Sequence, residues 1–306
     1  MNAMHNTSNT SNTSNVTPIK PTTSLSSCAV LCSLSVGIPA LEVKDTRAAS
    51  ELTAAKHARE GRARVVKKLV ESAHLSACKQ IEGEVRAYVR SQTASYDRGR
   101  DLLPNERLID VKNTVRDYFV QLERHRDLFL QDYPAQVARA QLELGDMFDE
   151  SDYPSVHTLR NKFRWSFIIE PVPESTDFRG TIEEGIRKEL AEMYEASTQT
   201  RLQQAMQDVW ERLLIPLKNM SARLTDKDNG KPTGFQGTLV QNVLDIVEVM
   251  RTCNFTNDPA MERVRNELRA ALNGVTYDGL KSSAHLRATT KEKIDNIINN
   301  IPSLGW

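Results

Sequence analysis

Apolar residues recur at steps of three and four over two long stretches of the chain. The first reads Leu108, Val111, Val115, Phe119, Leu122, Phe129, Tyr133, Val137, Ala140, Leu144 and Met147. The second reads Ile182, Ile186, Leu190, Met193, Leu202, Met206, Val209, Leu213, Leu217, Met220 and Leu224. Such spacing holds the apolar groups on one face of an α-helix. Neither stripe can be buried by its own helix, so the two are expected to pack on each other as an antiparallel hairpin or bundle.

The rest of the pattern is shorter. Residues 28–38 alternate apolar and small side chains (Val30, Leu34, Val36) and predict a strand over about 29–37, ended by Gly37 and Pro39. A helical pattern then runs from Ala48 to Tyr96, weakened by Gly61 and Gly83, and Leu102-Leu103-Pro104 punctuates it. Asp132-Tyr133-Pro134 predicts a kink or restart in the first long helix, and Pro216 a kink in the second. Asp152-Tyr153-Pro154 starts a short helix through Lys162. From Phe163 to Glu170 the period changes to two, with aromatic and β-branched residues, which predicts a second strand. Paired with 29–37 it gives a small two-stranded ribbon that the helices must support.

The second long helix is read over Thr181–Leu224, with Thr181 and Glu184 as a capping box. A loop follows over 225–237, then helices near 238–252, 259–273 and 289–301. The expected fold is therefore mainly α. A disordered tail spans 1–25, an elongated helical domain with a small β ribbon 26–224, and a C-terminal helical subdomain 238–306. The tail repeats Thr-Ser-Asn and lacks apolar surface to offset its ordering entropy.

Composition fits that outline. Of 306 residues, 39% are hydrophobic and 6% aromatic, below the usual apolar share, as long solvated helices and a polar tail require. Lys+Arg and Asp+Glu are 40 each, so any polyanion binding must come from a local patch. Four cysteines (Cys28, Cys32, Cys78, Cys253) in a chain this long argue for buried free thiols in a reducing cytoplasm. The start has no basic region followed by an apolar core, so no secretory signal is read there. No window reaches the roughly 20 apolar residues of a membrane span.

Candidate chemistry is sparse. Asp226-Lys227-Asp228-Asn229-Gly230 imitates a calcium loop, but the ligand register fails, and a turn is expected. Gly230-Lys231 lacks the flanking residues of a phosphate loop. His5, His57, His74, His125, His157 and His285 show no zinc-ligand spacing, and no nucleophile elbow occurs. The acidic run Asp146, Asp149, Glu150 and Asp152 reads as a solvated linker. No metal, cofactor or catalytic residue is nominated, and no enzyme activity is expected.

The sharpest charged feature is the basic run Lys56, Arg59, Arg62, Arg64, Lys67 and Lys68, placed on the helix over 48–96. Arg59, Arg62, Arg64, Lys67 and Lys68 are the candidate contacts for a partner or for nucleic-acid phosphates. No aromatic platform for base stacking lies near them. Arg160, Lys162 and Arg164 form a second basic group beside Phe163 and Trp165, whose rings are expected in the core.

The block Tyr153-Pro154-Ser155-Val156, Leu159-Arg160, Phe163-Arg164-Trp165-Ser166-Phe167, Pro171-Val172-Pro173 and Asp177-Phe178-Arg179 carries a resemblance. With the early Leu34-Ser35-Val36 strand and long helices on both sides, it resembles a domain family of tailed phages and plasmids that has no assigned activity. Genes of that family often lie near a MoxR-type AAA+ ATPase and a cobalt-chelatase-like protein with a von Willebrand A domain. The resemblance covers about residues 28–301. It implies a non-enzymatic adaptor in the cytoplasm of a bacterial host, with one of those proteins as partner. The alternatives are nucleic-acid binding through the basic run and a role as a phage virion or assembly component. A narrow stripe on long helices also suits closure against a second copy of the chain.

Overall fold

The structure is a computed structural model that describes residues 24–174, 183–226, 234 and 236–301. The tail through residue 23, Asp177-Phe178-Arg179, the capping residue Thr181 and most of the 225–237 loop lie outside the described residues.

In chain order the elements are α1 (Leu25–Cys28), β1 (Ala29–Gly37), β2 (Glu42–Asp45), α2 (Thr46–Ala55), β3 (Val65–Lys68), α3 (Ala73–Gln92), β4 (Ala94–Asp97) and β5 (Arg100–Pro104). Then come α4 (Leu108–Leu144), α5 (Val156–Arg160), β6 (Arg164–Pro171), α6 (Glu184–Leu224), α7 (Leu239–Thr252), α8 (Pro259–Leu272), α9 (Tyr277–Ser282) and α10 (Ala284–Asn300). The fold is mainly α, and both long apolar stripes are helices, of 37 residues in α4 and 41 in α6. Each helix runs on through its proline, Pro134 or Pro216, so the first long helix does not restart at Pro134. The hydrogen bond that Pro134 forgoes is offset by burial of Phe129, Leu130 and Tyr133 around it.

β1 and β6 pair antiparallel from Val30↔Pro171 to Gly37↔Arg164, as the alternation predicts. They are not a two-stranded ribbon, however. They belong to a four-stranded sheet of order β4-β5-β1-β6. β4 and β5 form a hairpin across Asp97-Arg98-Gly99-Arg100, where Gly99 takes φ +83° and Arg100 donates to Asp97. A second sheet pairs β2 with β3.

The expected packing of the two long helices on each other is corrected by the cores. α4 lies against α3, whereas α6 lies against α7, α10 and β4. His74, Tyr88 and Gln92 meet His125, Tyr118 and Arg107 in that order, so α3 and α4 run antiparallel. The sheet shared by the two cores explains the separation. Ala29, Leu31 and Leu102 point into one core with Trp210, Leu213 and Leu217 of α6 and the C-terminal helices. Cys32, Val36 and Leu103 point into the other with Val85, Val115 and Phe129 of α3 and α4. Consecutive strand residues face opposite sides, so β1 serves both cores at once. The C-terminal helices share the first of these cores with α6 and the sheet.

α6 also closes the open end of α3. Arg212 donates to the carbonyls of Thr93 at 2.6 Å and Arg90 at 2.5 Å, near the helix end where carbonyls lack intrahelical partners. Asp208 accepts from Arg90 at 2.5 Å and from the Ser95 N–H at 3.3 Å. Asp101 sits half-buried close to this network. Burial holds its carboxyl above the ordinary 3.8, the neighbouring Asp208 and Asp97 push the same way, and Arg90 and Arg212 oppose them. A carboxyl raised in this way binds a proton more readily folded than unfolded. Its charge therefore costs stability as pH rises from the ordinary value through the raised one. Asp101→Asn is expected to raise the unfolding midpoint at pH 7 and to lose that advantage below pH 3.8, where both states are protonated. Melting curves at the two pH values check it.

Candidate nucleic-acid interface

The basic run does not form one helix. α2 ends at Ala55, residues 56–64 form turns and irregular structure, and β3 begins at Val65. His57 at φ +50° and Gly61 at φ +79° turn the chain out of helical geometry. The β-branched pair Val65-Val66 then suits a strand, and Glu42–Asp45 supplies its partner, from Glu42↔Lys68 to Asp45↔Val65. Asp45 also caps α2 by accepting the Ala48 N–H at 2.8 Å. Strand, helix, loop and strand thus form one small unit beside the main sheet.

That register divides the candidate residues. Lys67 points inward, and its side chain is only 7% exposed. Its Nζ donates to the Met147 carbonyl at 2.7 Å and meets Asp152 Oδ2 at 2.6 Å. The hydrogen bond to Asp152 holds its ammonium above the ordinary amine range. Lys67 is therefore an anchor and not a surface contact. Asp152 in turn is no solvated linker residue, because it binds the inward lysine. Tyr153 adds a second tie by donating its hydroxyl to the Leu69 carbonyl at 3.0 Å. Both ties fix the β2–β3 ribbon to the segment between α4 and α5.

The outward face keeps the other cations. Lys44, Lys56, Arg59, Arg62, Arg64 and Lys68 are exposed, and none is in an ion pair among the described residues. Elsewhere arginines are commonly paired, as Arg47 is with Glu51 at 3.1 Å and Arg86 with Glu82 at 2.9 Å. Glu60 is the only carboxylate between Lys56 and Lys68. The small unit of a net-neutral chain thus carries these six exposed cations, with the exposed Glu42 opposite Lys68, and the place of Lys44 opposite Val66 was not legible from spacing. Beside it a cleft of about 380 Å³ opens between Glu42, Lys68, Ser72 and Lys79.

The inward lysine gives a direct expectation. Lys67→Met removes a charged pair and leaves Asp152 without its partner, at a cost of about 1.5–3 kcal/mol. Because the amine is held above its ordinary 10.5, the contribution is complete below that pH and is lost as pH rises through the raised value. Denaturant midpoints at neutral pH check the size.

In the second basic group only Arg160 is paired, while Lys162 and Arg164 are exposed and in no ion pair among the described residues. Arg160 meets Asp127 at 3.2 Å, and Trp165 receives Arg126 over its ring at 5.1 Å from α4. Phe163 is buried and Trp165 half-buried against Phe119, so these rings belong to the core. The Asp127 carboxyl is held low, first by its hydrogen bond to Arg126. Cys32, Cys78 and Cys253 are buried free thiols, and Cys28 is half-buried. Burial pushes Cys32 up to about 12 and Cys78 and Cys253 up to about 11, far from the range of a reactive thiolate. Among the described residues no three His, Cys, Asp or Glu side chains gather as a metal site. No helix among them is long and apolar enough to cross a membrane.

Against this geometry, no protein-family model, curated protein or solved structure matches the chain.

Proposed function

We propose that the protein is a non-catalytic binding protein whose β2–β3 ribbon and 56–64 loop dock on the phosphate backbone of double-stranded nucleic acid. The observation that carries this reading is the set of exposed cations on one anchored unit that hold no ion pair among the described residues. Unpaired cations pay no cost of breaking an ion pair when a phosphate arrives, and counterion release from the nucleic acid supplies the affinity. The lack of Phe, Tyr and Trp between residues 56 and 68 favours a duplex backbone over single strands, whose bases need stacking platforms. The contact would position the protein without reading sequence.

Fluorescence anisotropy with a labelled random-sequence duplex tests the reading. If all six exposed cations meet phosphates, log affinity falls against log salt with a slope of about −5. Affinity that is absent at 50 mM salt, or insensitive to salt, would overturn it.

A second reading is favoured by a separate observation. Ile186 and Met193, seven residues apart on one side of α6, stand 49% and 63% exposed. They suit a protein partner, and the sequence resemblance names an AAA+ ATPase or von Willebrand A protein for the part. A second copy of the chain and the surface of an assembling virion would satisfy the same residues. Affinity purification with nuclease treatment, in a bacterial cytoplasm, separates these outcomes: a protein that remains after nuclease supports the adaptor, and loss of all partners supports the nucleic-acid reading.

A further inference from the structure

His74 lies in the first turn of α3 and His125 in the middle of α4. Their Nδ1 atoms are 3.2 Å apart, the ring centroids 5.4 Å, and the planes are inclined by 45°. Both residues are half-buried, so solvent reaches the contact while the helices fix its two sides. A zinc-type ion with metal–nitrogen bonds of about 2.0–2.1 Å places two tetrahedral ligands about 3.3–3.4 Å apart. The two nitrogens already stand within a few tenths of an ångström of that spacing, on helices 51 residues apart in sequence.

We propose that His74 and His125 form a two-nitrogen chelate for a borderline divalent transition metal, which cross-links α3 to α4. Imidazole nitrogen selects Zn²⁺, Ni²⁺ and Cu²⁺ over the oxygen-seeking Mg²⁺ and Ca²⁺. Cys78, one turn beyond His74, is fully buried, and no third protein ligand gathers among the described residues. The remaining coordination positions are therefore open to water or to a donor from another molecule. The sequence gives no hint of the site, because metal-ligand spacing along one chain segment is the usual signal and these ligands meet only through helix packing. In the absence of metal the same contact is a hydrogen bond in which one Nδ1–H donates to the other Nδ1, and on metal binding the donor ring carries its proton on Nε2 instead, so that both Nδ1 lone pairs face the ion.

Zn²⁺ alone, titrated into the full chain in competition with a chromogenic chelator, tests the site. One ion per chain is expected, with a rise in the unfolding midpoint that Mg²⁺ and Ca²⁺ do not give, because a ligand bound only by the folded state stabilises it. His74→Ala and His125→Ala should each weaken binding at least about tenfold, and the thermal rise should vanish with it. Cu²⁺ in the wild type should show two nitrogen couplings by electron paramagnetic resonance, and one in either variant. The double variant measures background from His5, His57, His157 and His285. Binding and a thermal rise equal to those of the double variant would overturn the proposal. Circular dichroism confirms that the variants are folded. If an alanine variant is not, His74→Gln and His125→Gln retain length and a hydrogen-bonding group and give the same reading.

Discussion

Phe129→Ala is expected to cost about 3–5 kcal/mol, the cost of emptying a large aromatic site in a core that collapses only in part. Phe129 is fully buried on α4. Its ring lies 5.8 Å from Tyr133 on the next turn and 5.9 Å from Phe163 at the start of the β6 region. Removal therefore breaks the contact between α4 and the strand side of the same core, where a neighbouring side chain has no room to swing in. A domain of this kind is stable by only about 5–15 kcal/mol, so the loss is a large share of the total. Leu213→Ala on α6 empties the other core and should cost about 2–5 kcal/mol. Both variants should still unfold in one transition. β1 feeds Leu31 to one core and Cys32 to the other, and Arg212 of α6 holds the end of α3, so neither core can open without exposing the shared sheet. Urea titrations followed at two spectroscopic probes measure both points. A loss below 1 kcal/mol for Phe129→Ala, or two separated transitions, would contradict this account of the packing.

What the sequence made legible follows from the length of each signal. α4 and α6 carry many periods of the apolar stripe, and β6 announces itself by Phe163, Trp165, Phe167 and Ile169 on one side. Their partners were not legible for a physical reason. A stripe says which face is buried and nothing about what buries it. The sign that the helices were separated lay in β1, where Ala29 and Leu31 alternate with Val30 and Cys32, so that both faces are apolar as in a strand covered on both sides. The short strands failed differently. β2 and β3 have four residues each, with α2 and a loop between them, so no local period survives. Val65, Val66, Leu69 and Val70 fit a helical template as well as a strand. Ser72, whose hydroxyl accepts the Leu75 N–H, marked the true start of α3. Asp97 and Gly99 marked the hairpin before β5. In the candidate interface, spacing identified the cations but not their sides. Lys67 looks like its neighbours in sequence, and only the pairing of β3 with β2, together with Asp152 far along the chain, turns it inward.

That inversion of Lys67 sharpens the test of the interface. Arg59→Glu, Arg62→Glu and Arg64→Glu combined should weaken duplex binding roughly a hundredfold to a thousandfold at 0.1 M salt. The salt slope should flatten by about 3 at the same time, since each phosphate contact contributes about 0.9. These three side chains are exposed and hold no ion pair among the described residues, so the unfolding midpoint should move within about 0.5 kcal/mol of the wild type. Lys67→Met should behave in the opposite way, losing stability while the slope stays within one contact of the wild type, because its ammonium faces Asp152 and never reaches a phosphate. The pairing matters more than either variant alone. A general loss of folding lowers affinity and leaves the slope per bound molecule intact, whereas loss of phosphate contacts changes the slope itself. An unchanged slope in the triple variant, or a slope lowered as much by Lys67→Met, would remove the outward ribbon face as the binding surface. It would leave the exposed apolar side of α6, with Ile186 and Met193, as the surface to pursue.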